Sequence, residues 1–197
     1  MREVRRAGDR GLLVEAASPH ALRAAILAAD LPGVTDVVPG EATVLVVASG
    51  GLELLERRLR DLEAGDEAPA GRSVEIPVVY DGADLAEVAE LTGLSVAEVV
   101  ARYGAAEYTV AYLGFSPGFG YLTGLDPALR VPRRSTPRTS VPAGSVAMAG
   151  PYTAVYPSAS PGGWRLLGRT DLVLWDVRRD PPSLLGPGDR VRFVPSR

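Results

Sequence analysis

Between Gly114 and Gly168 the chain holds 9 glycines and 8 prolines in 55 positions, and no other stretch limits its fold as strongly. Proline lacks an amide donor and clashes with the preceding helical turn, and glycine is a poor helix former, so no long helix can run through this segment. Disorder is not the natural reading either, because aromatic and aliphatic residues such as Phe115, Tyr121, Val146 and Trp164 are interspersed. Short strands joined by rigid turns satisfy both facts, which means a β-barrel or a β-sandwich. The tail has the same character, with Leu172 to Val177, a Pro187-Gly188-Asp189 turn, and Val191 to Val194.

Residues 1–68 follow a different pattern. Gly11 to Ala16 is strand-like, and Ser18-Pro19 offers an N-cap with proline at the first helical position. Leu22, Ala25, Ile26 and Ala29 follow at helical spacing until Pro32-Gly33. Val34 to Val38 and Thr43 to Ala48 read as strands around a Pro39-Gly40 turn, and Leu52, Leu55, Leu59 and Leu62 form one face of a second amphipathic helix. The order ββαββα suggests a small α+β sandwich, ferredoxin-like in general character. Glu63 to Arg72 is polar and reads as a linker, which divides the chain into domains 1–68 and 69–197. Beyond it Val74, Ile76, Val78 and Tyr80 alternate as a strand that Pro77 places near a sheet edge. Asp84-x-x-Glu87 and Ser95-x-x-Glu98 both have capping-box spacing, and Tyr108 to Leu113 is strand again.

Residues that are missing narrow the chemistry. All 21 basic residues are arginine, and there is no cysteine, asparagine or glutamine. Schiff-base, Ser-Lys, P-loop-lysine and thiolate mechanisms are therefore excluded, as are disulfides and cysteine-bound metals. The single histidine, His20, rules out a multi-histidine metal site, and its place beside a helix start reads as a capping or surface role rather than a catalytic one. No metal site is expected in this chain. Residues 1–107 carry 19 acidic and 10 basic groups, whereas 108–197 carry 5 acidic and 11 basic. That imbalance suits the C-terminal part to an anionic ligand or partner, or marks a solvated basic face. The arginines are neither in a run nor interleaved with aromatics as in a nucleic-acid module. Uncharged stretches are broken by Gly and Pro, and MREVRRAGDR lacks an apolar core, so no membrane span or signal peptide is expected and a cytoplasmic location is the default.

Three segments of the Gly/Pro-rich region carry candidate chemistry. Gly114 to Leu122 combines tight-turn glycines with Phe115, Phe119 and Tyr121, and lets backbone amides approach a ligand closely; it also holds Ser116. Arg133, Arg134 and Arg138 lie on a loop stiffened by Pro132, Pro137 and Pro142, which pre-positions guanidiniums for bidentate contacts with carboxylate or phosphate. Ser160-Pro161-Gly162-Gly163-Trp164 leads into Arg165 to Arg169 and supplies a hydroxyl, free amides, a large ring and a cation. Each segment can equally be a structural turn with a solvent-facing arginine.

The blocks YTVAYLGFSPGFGYLTGLD, VPRRSTPRTSVPAGSVAMAG and YPSASPGGWRLLGRT, in this order, resemble the KipI/PxpB family, also called allophanate hydrolase subunit 1. The resemblance covers the whole chain. It implies an α+β N-terminal domain followed by a mainly β, cyclophilin-like barrel. It also implies a role as the B subunit of an ATP-dependent 5-oxoprolinase, a hydrolase that opens 5-oxo-L-proline to L-glutamate. The implied partners are a KipA/PxpC-type subunit and a LamB/YcsF (PxpA)-type subunit, with a homodimer also open; ATP and a divalent metal belong to the complex rather than to this chain alone. The expected shared site draws on Arg133, Arg134, Arg138 and Arg169 for negative charge and on Ser116, Ser145 and Ser160 for hydrogen bonds. Phe115, Phe119, Tyr103 and Trp164 are expected to line its pocket. Tyr103 stands where relatives often carry histidine, and a tyrosine does not titrate near neutral pH. Alternative family roles are KipI-like inhibition of a sensor histidine kinase and a subunit of a urea-carboxylase-type enzyme.

Overall fold

The structure, a computed structural model, describes residues 2–65 and 71–196. The chain divides into two compact units, Met1–Ala70 and Gly71–Arg197. Part of the expected linker, residues 66–70, lies outside the described residues. No helix among the described residues is long and apolar enough to cross a membrane.

In the N-terminal unit, β1 (Val4–Ala7), β2 (Gly11–Glu15), α1 (Pro19–Ala28), β3 (Val34–Pro39), β4 (Thr43–Ala48) and α2 (Leu52–Asp61) follow one another. The strands form one antiparallel sheet in the order β1-β2-β4-β3. Alternate residues Val44, Val46 and Ala48 are buried, and Leu22 and Ile26 of α1 meet Leu52, Leu55 and Leu59 of α2 in one core beneath the sheet. Pro19 opens α1 as its spacing predicts, and Ser18 is the N-cap residue by position.

The C-terminal unit begins with β5 (Ser73–Val78), α3 (Leu85–Thr92), α4 (Val96–Ala105), β6 (Tyr108–Leu113) and β7 (Gly120–Thr123). It continues with β8 (Arg138–Val141), β9 (Ser145–Ala149), β10 (Tyr152–Val155), β11 (Ser160–Gly162), β12 (Arg165–Arg169) and β13 (Arg190–Pro195). Seven strands form a sheet in the order β12-β9-β10-β7-β6-β13-β5. Its two edges come together: Val79, just past β5, exchanges hydrogen bonds with Arg169 at 2.9 Å, and Gly82 and Asp84 donate to the carbonyls of Leu167 and Leu166. The result is a nearly closed, barrel-like sheet. Pro77 sits on the edge strand, as its missing donor requires. Ile76, Val110, Leu122, Val146, Met148, Val155 and Phe193 fill the interior, and α4 packs Val99 and Tyr103 against them.

The Ser95–Glu98 capping box is formed, with the Ser95 hydroxyl accepting from the Glu98 amide and the Glu98 carboxylate accepting from the Ser95 amide. Asp84-x-x-Glu87 does not form one. Asp84 is the N-cap residue of α3 but makes no side-chain cap bond, because its carboxylate is turned elsewhere.

Candidate functional site

Strand alternation gives the C-terminal unit a second apolar cluster on the outer face of its sheet. In β9 and β10 the interior takes Val146, Met148 and Val155, and the outer face shows Ala147 and Ala154. These small side chains leave room above the sheet. The two-stranded ribbon of β8 and β11 and the turn before β7 cover it, so every residue of β9 is buried although the strand has two faces. Phe119, Val141, Tyr156 and Leu166 complete this layer, with Tyr121 and Trp164 packed against it.

Phe119 is its centre. Its ring meets Phe115, Tyr121, Tyr156 and Trp164 at centroid distances of 5.2–5.6 Å and interplanar angles of 63–82°, the edge-to-face geometry that the ring quadrupoles favour. These five rings wall a cavity of about 270 Å³, completed by Arg133, Pro137 and the run Pro161, Gly162 and Gly163. Gly162 is required by close approach: a Cβ there would lie 2.4 Å from the Tyr156 hydroxyl. At the other wall Phe115 has φ +66°, a conformation uncommon for any non-glycine residue, and its ring is 63% exposed. The local bonds Ser116 N–H to the Gly114 carbonyl and Phe119 N–H to the Ser116 carbonyl hold that turn. Burial pushes the hydroxyls of Tyr121 and Tyr156 above their ordinary range, so both stay neutral near neutral pH.

Arg133 is the one charged group in the lining, is exposed, and is unpaired among the described residues. The next two arginines are engaged. Asp84, 1% exposed, accepts from both terminal nitrogens of Arg138 at 2.8 and 2.7 Å, from Nη1 of Arg134 at 2.8 Å, and from the Leu166 amide at 2.8 Å. Burial pushes the Asp84 carboxyl up, but the Arg138 guanidinium, the Leu166 amide and the charge of Arg134 outweigh it and hold the group below its ordinary value. Glu87 pairs with Arg134 at 3.4 Å and with Arg165, whose Nε donates to the Pro132 carbonyl at 3.3 Å. The Arg134 amide donates to the Gly163 carbonyl at 2.7 Å, tying the arginine loop to the Trp164 wall.

The other expected site residues fall elsewhere. Arg169 pairs with Asp81 at 2.9 Å where the sheet closes and lines a separate depression with Pro77, Val79 and Leu172. Ser145 is buried at the start of β9, outside the cavity lining. The Ser116 and Ser160 hydroxyls are buried without a hydrogen-bond partner among the described residues and adjoin the lining residues Phe115 and Pro161 in sequence. Tyr103 does not line the pocket. It lies on the inward face of α4, one helical turn from Val99, so it enters the barrel interior. There it stacks on Phe193 at 4.9 Å, and its hydroxyl bonds that of Thr153. Burial raises its pKa well above the ordinary value.

Asp84, Glu87 and Tyr156 are the site residues that sequence reasoning missed. The local signal at Asp84 and Glu87 matched a helix cap, while their arginine partners lie 47 or more positions away. An excess of arginine on one rigid loop was the available hint that buried carboxylates must face it.

A family model described as carboxyltransferase domain, subdomain C and D, matches residues 2–185. The chain is 48% identical over 178 residues to the B subunit of 5-oxoprolinase from Escherichia coli O157:H7, covering 85% of this chain and 81% of that protein. It is also 48% identical over 143 residues to the B subunit of 5-oxoprolinase from Bacillus subtilis (strain 168), covering 71% of this chain and 59% of the relative. Among solved structures, that of TTHA0988 matches with TM-score 0.82 and 41% identity over 95% of this chain, which spans only 40% of the TTHA0988 chain.

Proposed function

Because the chain belongs to the carboxyltransferase subdomain C and D family, we propose that it is the B subunit of an ATP-dependent 5-oxoprolinase and contributes the aromatic cavity to a shared active site. The observation that carries this reading is the 48% identity to the Escherichia coli subunit, which extends over most of both chains. The fold supports it in finer form. The N-terminal strand order β1-β2-β4-β3 is that of a ferredoxin-like sheet with its last strand moved to the front. The nearly closed sheet is read as a cyclophilin-like barrel.

The substrate, 5-oxo-L-proline, is a small lactam ring bearing one carboxylate. Five aromatic walls suit the ring, and Arg133 supplies a guanidinium for the carboxylate. Holding the ring in one orientation is this chain's contribution to ring opening. The cavity lining contains no carboxylate, imidazole or thiol, so it does not fit a divalent cation, and among the described residues no cluster suited to a metal occurs elsewhere. In the proposed complex ATP and metal are held by the KipA/PxpC-type and LamB/YcsF-type partners, which carry out phosphoryl transfer and hydrolysis.

The test is reconstitution with both partners and an ATP-dependent assay for glutamate. The isolated chain is expected to be inactive, the complex active, and Arg133→Ala in the complex to lower kcat/KM by about two orders of magnitude, the loss of a charge-assisted pair of about 3 kcal/mol, without lowering the melting temperature. A complex without turnover on 5-oxoproline overturns the assignment. Turnover only with a biotin-dependent partner would point to the urea-carboxylase-type role instead.

A further inference from the structure

We propose that Asp84 is the positioning residue of this site: it immobilises Arg134 and Arg138 so that Arg133 alone is presented to the ligand. The proposal rests on the reading of the aromatic cavity as the substrate pocket. Three guanidiniums, Arg134, Arg138 and Arg165, face two carboxylates, Asp84 and Glu87, in one connected network. Both chain neighbours of Arg133 are pinned by it. Pro132 is held through its carbonyl by Arg165, and Arg134 is held by its side chain to Asp84 and by its amide to the Gly163 carbonyl. Arg133 lies between these anchors and is the arginine of the loop left unpaired among the described residues.

The geometry separates holding from binding. The forked double bond from Arg138 to Asp84 fixes the start of β8, and with it Pro137 in the cavity wall. The Leu166 amide bonded to the same carboxylate fixes β12, directly after Trp164. One buried carboxylate therefore joins the head of α3, the arginine loop and the strand that follows the tryptophan wall. The network also retains one uncompensated positive charge, which adds to that of Arg133 and favours an anion at this mouth. Two of the three arginines on the loop are thereby unavailable to substrate.

Asp84→Asn tests this. In the reconstituted complex it is expected to raise KM for 5-oxo-L-proline about tenfold while kcat changes less than about twofold. In the isolated chain carrying Trp175→Phe, which leaves Trp164 as the single tryptophan, it is expected to increase acrylamide quenching of Trp164 fluorescence. Arg138→Lys keeps the charge but loses the fork, and is expected to move both readouts the same way by less. It also carries the test if Asp84→Asn does not fold. Unchanged KM and unchanged quenching in a folded variant overturn the proposal. If Arg133→Ala leaves kcat/KM unchanged while Asp84→Asn exposes Trp164, the substrate assignment of the cavity fails and the positioning of its wall stands.

Discussion

A carboxylate that is 1% exposed is stable in a fold only if it is fully paired, and Asp84 meets that condition with two guanidiniums and one amide. Breaking such an arrangement from one side leaves two guanidiniums facing an uncharged group, so Asp84→Asn is expected to cost about 3 kcal/mol at neutral pH. The pH dependence has a definite sign. The folded pKa lies below the unfolded value of about 3.9, so the stabilisation is fully present above that value and is lost as pH falls through the folded pKa. Urea denaturation of both proteins from neutral pH down into the acid range should therefore show a constant gap in stability above about pH 4, narrowing below it. A gap that stays constant to the lowest pH would show that Asp84 acts through shape rather than charge. At this scale much was legible in the sequence. The arginine loop, its stiffening prolines and the aromatics around Phe119 are all recognisable from composition and spacing. The partners are not, because a residue buried by contacts made 50 and 82 positions away carries no local periodicity.

Elements of the barrel follow their sequence patterns closely, yet their closure depends on contacts that no pattern displays. Alternation marks β5 and β6, and the Gly/Pro texture announces short strands, but the parallel pairing of β5 with β13 joins opposite ends of the unit. So does the seam between the segment after β5 and β12. Gly168 shows what the seam demands. It sits at an irregularity in β12, and a Cβ there would lie 2.2 Å from the Val79 carbonyl oxygen and 3.0 Å from the Tyr80 Cα, both of them backbone atoms. Backbone cannot step aside as a side-chain tip can. Gly168→Ala is therefore expected to destabilise the barrel by about 3 kcal/mol, measured by urea denaturation followed through tryptophan fluorescence. Gly50→Ala, whose Cβ would meet nothing within 4 Å, is expected to stay within about 0.5 kcal/mol by far-UV circular dichroism. Equal and small effects at both positions would mean that the seam opens readily and that the barrel is not closed in solution.

Among the described residues, the buried hydrophobic side chains form one core in the N-terminal unit, from Val4 to Leu59, and two in the C-terminal unit, from Ile76 to Phe193. Among the described residues no sheet is shared between them. The site's confinement to one unit required the fold, because its residues are drawn together from across positions 84–166. Every residue of the aromatic cavity, and the whole Asp84 network, lies in Gly71–Arg197. The start of that unit is itself tied in. Asp189, buried, accepts from the Arg72 amide at 3.0 Å and pairs with its guanidinium at 2.7 Å, so a cut before Gly71 keeps the first anchor of β5. A fragment comprising residues 71–197 is therefore expected to fold alone with one cooperative urea transition, since its size and separate core suffice for an independent domain. Both tryptophans are in it, so its emission spectrum and its acrylamide quenching should match those of the intact chain. A fragment that folds but quenches more readily would mean that the first 70 residues shape the cavity from outside its lining. A fragment that does not fold would mean that they stabilise the barrel itself. Matching spectra would instead show that both tryptophans keep their surroundings without the first 70 residues.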